Sequence, residues 1–488
     1  MATTDGSTWD VIVIGGGPAG ENAAQYAIQG SGRTAVLVEQ ELVGGECSYW
    51  ACMPSKALLR PVELRDVARD LPGTASAASA PLDLEAVLDR RDRFVSHHDD
   101  HSQVAWANRT GIDVVRGHGR LSGPRTVTVT SDDGSVRTLT ARAAVVLATG
   151  SAAAVPPVPG LHDALPWTSR DVTNLHEVPR RVLVIGGGVV ACEATTWLHG
   201  LGTEELTVIE PGPSLLGRQE PFVAELIGRR FADWGIEVLT GTPVDLVERP
   251  GVLATGEGHR HGGSATVTAG GRVFEVDEIV VAAGRTPNSA DLGLDSVGLD
   301  VAANHGFVPV DDQLTVPGVE GAWLYAVGDV CGRALLTHMG KYQARVAGDV
   351  IAARAEGRRP DGSRHRDLAD HDMVPAVVFT DPQVASVGLT ESVARTRGVD
   401  VEVVEYDLGQ VAGAALLRDD YRGRAKLVVD RSTDTLVGAT FVGTDVAELL
   451  HSATTALVGR VPLDTLWHVV PSYPTVSEVW LRLLESRR

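Results

Sequence analysis

The stretch Asp10-Val-Ile-Val-Ile-Gly-Gly-Gly-Pro-Ala-Gly20 decides the fold of the first part of the chain. Its apolar run is followed by glycines in the pattern G-x-G-x-x-G, at Gly15, Gly17 and Gly20. Such glycines permit a tight turn, a close approach of the backbone to a pyrophosphate, and close packing of a helix on a strand. An alanine-rich segment, Asn22–Ile28, and a second apolar run, Thr34–Glu39, come next. This order predicts the strand, turn, helix and strand of a dinucleotide-binding unit.

Glu39 strengthens this interpretation. It ends the second predicted strand, nineteen residues beyond Gly20. A carboxylate at that place accepts hydrogen bonds from both hydroxyls of an adenosine ribose. A glycine triplet alone would indicate only a turn, but the strand, helix and acid in this order favour a dinucleotide site.

The same pattern returns later in the chain. An apolar run, Arg181–Ile185, is followed by the G-x-G-x-x-A residues Gly186, Gly188 and Ala191. A helix-like segment, Ala191–Leu201, and a strand-like segment, Leu206–Glu210, complete the unit. The repetition predicts two dinucleotide sites in one chain.

Glu210 bears on the choice of coenzyme at the second site. It lies nineteen residues beyond Ala191, and no arginine occurs between it and Arg218. A carboxylate there repels the additional 2′-phosphate of NADP, so we expect NADH rather than NADPH. The alternative is an ordinary solvated acid at a strand end.

Composition narrows the class of protein. The 488 residues exceed what one hydrophobic core usually supports, so several domains are expected. The formal charge of −20 disfavours nucleic acid and anionic lipid as partners. No apolar run is long enough to span a membrane, and no signal peptide is recognisable, so we expect a cytoplasmic protein.

Two of the four cysteines stand close together, in Gly44-Gly-Glu-Cys47-Ser-Tyr-Trp-Ala-Cys52-Met-Pro-Ser-Lys56. A metal site would need further ligands at comparable spacing, and none follows. Redox chemistry is therefore the favoured interpretation. Tyr49 and Trp50, between the cysteines, either narrow the access to Cys47 or only fill space. Cys192 and Cys331 have no nearby partner in sequence, and we expect both to be small buried hydrophobic residues.

Together with the cysteine pair, four further segments carry a resemblance to a known family. They are Leu147–Gly150, Ala282–Asn288, Ala326–Val330 and Asp381–Glu391. In these the chain resembles, nearly end to end, the pyridine nucleotide-disulfide oxidoreductases, which include dihydrolipoyl dehydrogenase, glutathione reductase and mercuric reductase.

The resemblance implies an α/β fold with two Rossmann-like domains, for FAD and NAD, and a C-terminal α+β dimerisation domain. We place a discontinuous FAD-binding domain at residues 1–155 and 284–353, an NAD(P)-binding domain at 156–283 and the dimerisation domain at 371–488. The resemblance also implies a homodimer whose active site is shared across the interface.

The resemblance assigns roles to individual residues. Cys52 would be the thiol that lies against the flavin, and Cys47 the outer thiol that meets the substrate. Lys56 would lie near the flavin and pair with Glu193, and Asp329 would bind the ribityl chain. The motifs further imply contacts of Thr149 and Gly150 with FAD and of Gly284 with NAD.

The chain departs from the family near its C-terminus. Disulfide reductases of this family carry a histidine there that moves protons, with a glutamate five residues later. Here Tyr473 and Glu478 occupy those positions. With an ordinary pKa of about 10, tyrosine is a poor base at neutral pH, so lipoamide and glutathione become doubtful substrates. His468, five residues earlier, is a displaced base or, more in keeping with its apolar surroundings, a packed interface residue.

The acceptor is therefore left open between a metal ion, a quinone and a small oxidant. Mercuric reductases share the tyrosine but also carry a C-terminal cysteine pair, which this chain lacks. Two alternatives are a dihydrolipoyl dehydrogenase-type disulfide reductase and a redox-sensing flavoprotein with little turnover.

Two local patterns have competing interpretations. Thr475 and Glu478 also fit a capping box at the start of a helix. The cluster of His97, His98, Asp99, Asp100 and His101 contains metal-ligating residue types, but a solvated helix carrying His97 and His101 on one face is favoured.

Overall fold

The computed structural model describes residues 6–487, which form two compact units. Within the described residues, the first unit comprises 6–53, 92–152 and 285–371, and the second comprises 54–91, 153–284 and 372–487.

A seven-stranded sheet forms the centre of the first unit. The strands follow the order Ile112–Arg116, Ala35–Glu39, Thr8–Ile14, Val136–Leu147, Thr126–Thr130 and His118–Gly123, and Leu324–Ala326 also pairs with Val136–Leu147. The strands that carry the first glycine motif pair in parallel, and their side chains are buried on both faces, as the apolar runs require.

Helices pack closely on this sheet. The α-helices of the first unit are Pro18–Ile28, Gly45–Tyr49, His101–Arg109 and Thr337–Ala355. The first and last of these meet through glycines, since a Cβ on Gly348 would lie 2.4 Å from the Cβ of Tyr26. Helix Pro18–Ile28 and helix Thr337–Ala355 are therefore held side by side.

The second unit contains the second glycine motif on a parallel sheet. Its strands follow the order Glu237–Thr240, Glu205–Glu210, Arg181–Ile185 and Glu278–Val281. A three-stranded antiparallel sheet consists of Val244–Glu248, Ala265–Ala269 and Arg272–Val276. A five-stranded antiparallel sheet follows the order Pro375–Val378, Gln383–Gly388, Thr435–Gly443, Arg424–Asp430 and Val401–Asp407.

Helices cover these sheets. The longer α-helices are Leu84–Phe94, Val189–Leu201, Pro221–Asp233 and Leu449–Val458, with Ser169–Thr173, Glu391–Thr396, Ala412–Ala415, Leu463–Leu466 and Val479–Glu485 as shorter ones. Helix Cys52–Arg69 begins in the first unit and continues into the second. Among residues 6–487, no helix has the length and apolar character needed to cross a membrane.

The histidine cluster does not form the solvated helix that its spacing suggested, and that expectation is wrong. Residues 96–98 form a short 3-10 helix in which His97 has a φ of 52°, and the α-helix starts only at His101. The cause is local competition for hydrogen bonds, because the Asp99 carboxylate accepts from the backbone N–H of His101 at 2.8 Å. Residues 6–487 contain no group of three or more His, Cys, Asp or Glu side chains that could hold a metal ion.

Candidate active site

The first glycine loop connects the buried strand Thr8–Ile14 to helix Pro18–Ile28. Gly15 has a φ of +104°, and a Cβ there would lie 2.3 Å from the carbonyl oxygen of Ala148. A Cβ on Gly20 would lie 1.9 Å from the carbonyl oxygen of Gly15, so no larger residue fits either place. By contrast, a Cβ on Gly17 would meet only the Gly45 backbone, at 3.9 Å. The helix N-terminus thus offers backbone N–H groups and room for a pyrophosphate, which fits FAD.

Glu39 lies beside this loop. Its carboxylate accepts a hydrogen bond from the N–H of Gly16 at 2.6 Å and another from the N–H of Glu41 at 2.7 Å. Burial raises the pKa of Glu39, and the two backbone hydrogen bonds oppose that rise. The structure therefore brings the predicted ribose-binding acid to the glycine turn.

The second unit repeats this geometry. Gly186 has a φ of +116°, and a Cβ there would lie 2.4 Å from the carbonyl oxygen of Ala282. The Glu210 carboxylate accepts from the N–H groups of Gly187 and Gly212, both at 2.5 Å. A Cβ on Gly188 would meet no atom within 4 Å. The same two features, a closed turn and an open helix start, fit a second dinucleotide. Of the other residues expected at this site, Ala191 is buried in the helix that follows the turn, and Gly284 has a φ of +127°.

Cys47 and Cys52 are brought together at the junction of two helices. Cys47 lies in helix Gly45–Tyr49, and Cys52 begins helix Cys52–Arg69. Their side chains are hydrogen-bonded to each other, and this bond and burial both raise the pKa of Cys47. The Sγ of Cys52 also lies 3.3 Å from the Oγ1 of Thr337. The two thiols therefore lie within reach of each other, which suits a dithiol that exchanges with a disulfide.

Two glycines hold the cysteine segment against the first glycine loop. Gly44 and Gly45 have φ values of +115° and +58°, and a Cβ on Gly45 would lie 2.7 Å from the Cα of Gly17. The N–H of Gly44 donates to the carbonyl of Gly16 at 2.8 Å. The thiols are thereby fixed beside the first dinucleotide turn.

Tyr49 and Trp50 fill space beneath this segment. Both are buried in a cluster with Val95, and the Tyr49 hydroxyl donates to the Val43 carbonyl at 3.0 Å. Of the two interpretations that the sequence left open, the packing role is the one that the structure supports.

Asp329 belongs to a network that sequence reasoning missed. Ser151 donates to the Asp329 carboxylate at 2.6 Å, and the Arg285 side chain donates to the Ser151 hydroxyl at 2.6 Å and to the Glu46 carboxylate at 2.8 Å. Burial raises the pKa of Asp329, which the Ser151 bond opposes. Two sequence positions could have pointed to this network. Arg285 lies in segment Ala282–Asn288, which carries the family resemblance, and Glu46 directly precedes Cys47.

Thr149 and Gly150 are hydrogen-bonded to Asn288, so two of the segments that carry the family resemblance are in contact. The Thr149 hydroxyl donates to the Asn288 carbonyl at 2.7 Å, and the Asn288 amide donates to the Thr149 carbonyl at 2.9 Å. The N–H of Asn288 bonds the carbonyl of Gly150 at 3.1 Å. Thr149 and Gly150 are thus held by the segment that carries Arg285.

Lys56 and Glu193 form an ion pair of 2.7 Å in the second unit. Glu193 is buried, and its other carboxylate oxygen accepts from the N–H of Phe379 at 2.9 Å. The Lys56 ammonium lies 4.9 Å from the centre of the Phe379 ring. Phe379 completes the environment of the pair, and no sequence motif had singled it out.

The C-terminal segment is arranged differently. Tyr473 is 76% exposed, and its hydroxyl makes no hydrogen bond to any residue between 6 and 487. Glu478 is buried and bonded to Arg482 at 2.5 Å. Thr475 donates to the Ser472 carbonyl and does not cap the helix, so the capping-box interpretation is wrong. His468 is exposed, and a role for it at an interface stays a prediction.

The remaining cysteines match expectation. Cys192 and Cys331 are both buried, and burial raises the pKa of each thiol. Neither has the exposure or the lowered pKa of a reactive cysteine.

Known proteins are similar in sequence to nearly the whole chain. The family description "Pyridine nucleotide-disulphide oxidoreductase" matches residues 9–357, and that family's dimerisation domain matches residues 374–483. Dihydrolipoyl dehydrogenase of Chlorobaculum tepidum is 33% identical over 98% of this chain and 97% of its own length. Mercuric reductase of Staphylococcus aureus is 30% identical over 96% of this chain and 81% of its own length.

A solved structure shares the fold. A Cu(II) complex of the HOCl-induced flavoprotein disulfide reductase RclA from Escherichia coli superposes with a TM-score of 0.82, at 23% identity, covering 98% of this chain and 99% of that one. The predicted α/β fold, the dimerisation domain and the assignment as an enzyme are confirmed. The family supports FAD and a pyridine nucleotide as cofactors, and its dimerisation domain supports a homodimer. The chain belongs to the pyridine nucleotide-disulphide oxidoreductase family.

Proposed function

We propose that this flavoprotein passes electrons from NADH, through FAD and the Cys47–Cys52 pair, to a small oxidant. The observation that carries the proposal is the mutual hydrogen bond of the two thiols, in a segment packed against the first glycine loop. Thiols so placed can alternate between a dithiol and a disulfide. We place this enzyme in the cytoplasm, where other thiols are kept reduced.

FAD would occupy the domain of residues 1–155 and 284–353, against Gly15, Gly17 and Gly20. Glu39 would bind the adenosine ribose, and Asp329, held by Ser151, would bind the ribityl chain. Thr149 and Gly150 would complete this site. Residues 156–283 would bind the nicotinamide coenzyme, through Gly186, Gly188, Ala191 and Gly284, and residues 371–488 would form the dimer interface.

NADH is the proposed coenzyme because both oxygens of Glu210 already accept backbone hydrogen bonds. These two hydrogen bonds hold the carboxylate beside the second glycine turn. A 2′-phosphate there would meet a negative charge that cannot turn away.

When bound, FAD supplies hydride acceptance from the coenzyme and electron transfer to the disulfide. Residues of the chain itself supply the remaining functions, which are a cation near the flavin and the two thiols. Lys56, held by Glu193, supplies a cation that favours a reduced, anionic flavin. Cys52 is the inner thiol and Cys47 the outer thiol that meets the acceptor. Tyr473 and Glu478 would come from the partner chain and complete each site without the family's histidine.

The test is anaerobic NADH oxidation with lipoamide compared with a quinone, for the wild type and Cys47→Ser. Rapid lipoamide turnover that the variant loses would support a thiol relay, and would also favour the dihydrolipoyl dehydrogenase-type activity that the name of a relative suggests. If only the quinone reacts and Cys47→Ser keeps that rate, electrons leave from the flavin and the relay is wrong. Negligible turnover with every acceptor would favour a redox sensor.

A further inference from the structure

The Arg285 side chain lies between two carboxylates of the first unit. Its Nη2 donates to the Oε2 of Glu46 at 2.8 Å, and its Nε lies 3.6 Å from the Oδ2 of Asp329. The same guanidinium donates to the hydroxyl and to the carbonyl of Ser151, both at 2.6 Å. One planar fork thus holds groups on two sides at once, which is a geometry that a lysine ammonium does not offer.

Glu46 directly precedes Cys47 in the short helix Gly45–Tyr49. This helix has five residues, and a helix of that length is not stable by itself in water. Gly44, the residue before it, has a φ of +115°, a conformation in which the backbone has little stiffness of its own. The position of the helix must therefore be fixed by contacts with other segments. The ion pair of Glu46 with Arg285 is such a contact, next to the outer thiol.

The far side of this contact is held by further hydrogen bonds. The Ser151 hydroxyl, which accepts from Arg285, donates in turn to the Asp329 carboxylate at 2.6 Å. Ser151 is buried, and the carbonyl of Gly150, directly before it, accepts from the N–H of Asn288 at 3.1 Å. A continuous chain of hydrogen bonds therefore leads from the residue before Cys47 to the carboxylate that we assign to the ribityl chain of FAD.

The two carboxylates repel each other, and Arg285 offsets this repulsion. Burial raises the pKa of Asp329, the hydrogen bond from Ser151 and the charge of Arg285 lower it, and the charge of Glu46 raises it. Glu46 and Asp329 are thus close enough to interact through their charges. If the cation were removed, Glu46 would be pushed away from Asp329, and the helix that carries Cys47 would move with it.

We propose that Arg285 is a positioning residue for the outer thiol, which it holds in place through Glu46. The inference rests on the proposed thiol relay and adds a residue that acts on it without touching either sulfur. Cys47 stays within reach of Cys52 because its helix cannot move away from the Arg285 side chain. The measurable consequence is the effective concentration of one thiol relative to the other, which sets how strongly the disulfide forms.

The experiment equilibrates the flavin-loaded enzyme with anaerobic glutathione buffers and counts free Cys47 and Cys52 by maleimide trapping and peptide mass mapping. Two glutathione molecules give two electrons and two protons to the Cys47–Cys52 disulfide, which yields the dithiol and one glutathione disulfide. Arg285→Gln should lower the equilibrium constant for disulfide formation by about 10-fold, which raises the reduction potential by about 30 mV. Arg33→Gln, which removes an ion pair with Glu356 in the same unit, should keep the constant within about twofold.

Two further variants separate positioning from a general loss of structure. Glu46→Gln keeps an acceptor of similar shape but removes one of the two negative charges, so it should lower the constant by only about threefold. In the double variant Glu46→Gln/Arg285→Gln the repulsion from Asp329 is gone, and the constant should recover to the value of Glu46→Gln. Independent losses would instead multiply to about 30-fold.

The outcomes decide between the positioning role and the relay. If Arg285→Gln matches the wild type, or if the two losses multiply in the double variant, the positioning role is overturned and the relay stands. If Arg285→Gln does not retain FAD, Glu46→Gln decides, since a lowered constant supports the role and an unchanged one overturns it. A wild type that forms no Cys47–Cys52 disulfide at any glutathione ratio would overturn the thiol relay, and the positioning role with it.

Discussion

The cysteine segment, residues 44–56, and the C-terminal segment, residues 468–478, are the two places to which the family resemblance assigns thiol chemistry, and they differ in how firmly their side chains are held. In the cysteine segment, every family position is filled and is held by hydrogen bonds or close packing, as the Lys56–Glu193 and Cys52–Thr337 contacts show. In the C-terminal segment, Tyr473, which stands where the resemblance predicts a histidine, is 76% exposed. On the proposed function, the segment that carries electrons keeps the residues that the family resemblance predicts, and the segment that carries protons does not.

This difference teaches that the two functions are separable. Thiol exchange requires two sulfurs at fixed positions, which only local backbone geometry can supply. A proton carrier needs only an ionisable group within reach, directly or through water, so another element can supply it.

The largest expected effect tests the cysteine segment directly. Cys52→Ala removes the inner thiol, so disulfide reduction should fall by about 1,000-fold or more. Cys331→Ala, at a buried cysteine in an apolar core, should keep the rate within about threefold and cost about 1 kcal/mol of stability. Steady-state NADH oxidation with hydroxyethyl disulfide measures both. Equal rates in the two variants would remove the distinction between the redox pair and the other cysteines.

The next effect tests how the segment is positioned. Gly45→Ala combines a φ of +58° with a Cβ 2.7 Å from the Cα of Gly17, and should cost about 3 kcal/mol of unfolding free energy. Gly111→Ala is the matched control, since its φ is +82° but a Cβ meets no atom within 4 Å, and should cost about 1 kcal/mol. Urea unfolding of both variants gives the difference. If the costs are equal, the close approach to the first glycine loop does not hold the thiols.

A smaller effect tests the ion pair. Glu193→Gln leaves Lys56 without its anion in a partly buried place and should cost about 2 kcal/mol of unfolding free energy. Glu204→Gln, in an exposed pair with Arg180, should leave the unfolding free energy nearly unchanged, because solvent screens the pair. A Glu193→Gln variant as stable as this control would contradict the pairing.

The smallest effect is expected in the C-terminal segment. Tyr473→Phe removes only the hydroxyl, which makes no hydrogen bond within residues 6–487, so the disulfide rate at pH 7 should stay within about twofold. Tyr473→Leu, which also removes the ring, is the comparison that separates the hydroxyl from the packing of the aromatic side chain. A tenfold loss in Tyr473→Phe would show that the hydroxyl acts in proton transfer and would reverse the contrast between the two segments.

Much of the fold and part of the site could be predicted from local spacing. In each unit, an acid lies nineteen residues beyond the last small residue of the glycine motif. This spacing predicted that Glu39 and Glu210 lie beside their turns, because strand, turn and helix have nearly constant lengths in such a unit. The predictions of a solvated helix at the histidine cluster and of a capping box at Thr475 were wrong. In both places a side chain, that of Asp99 or Thr475, makes a hydrogen bond to nearby backbone that competes with the predicted helical bonds. It was also silent on Phe379, which meets Lys56 across more than 300 residues of chain.

The sequence by itself determined the two glycine turns and the family, and it predicted the redox cysteine pair and Tyr473 in place of a histidine, since each depends on residue type and short spacing. Only the tertiary structure decided that the Arg285 side chain donates hydrogen bonds to both Glu46 and Ser151. Arg285 and Glu46 are 239 residues apart in the sequence. It also decided that the Phe379 ring lies against the Lys56 ammonium, 4.9 Å from the ring centre. The physical reason is the same for both, because desolvation and long-range pairing depend on which distant segments pack together and have no signal in neighbouring residues.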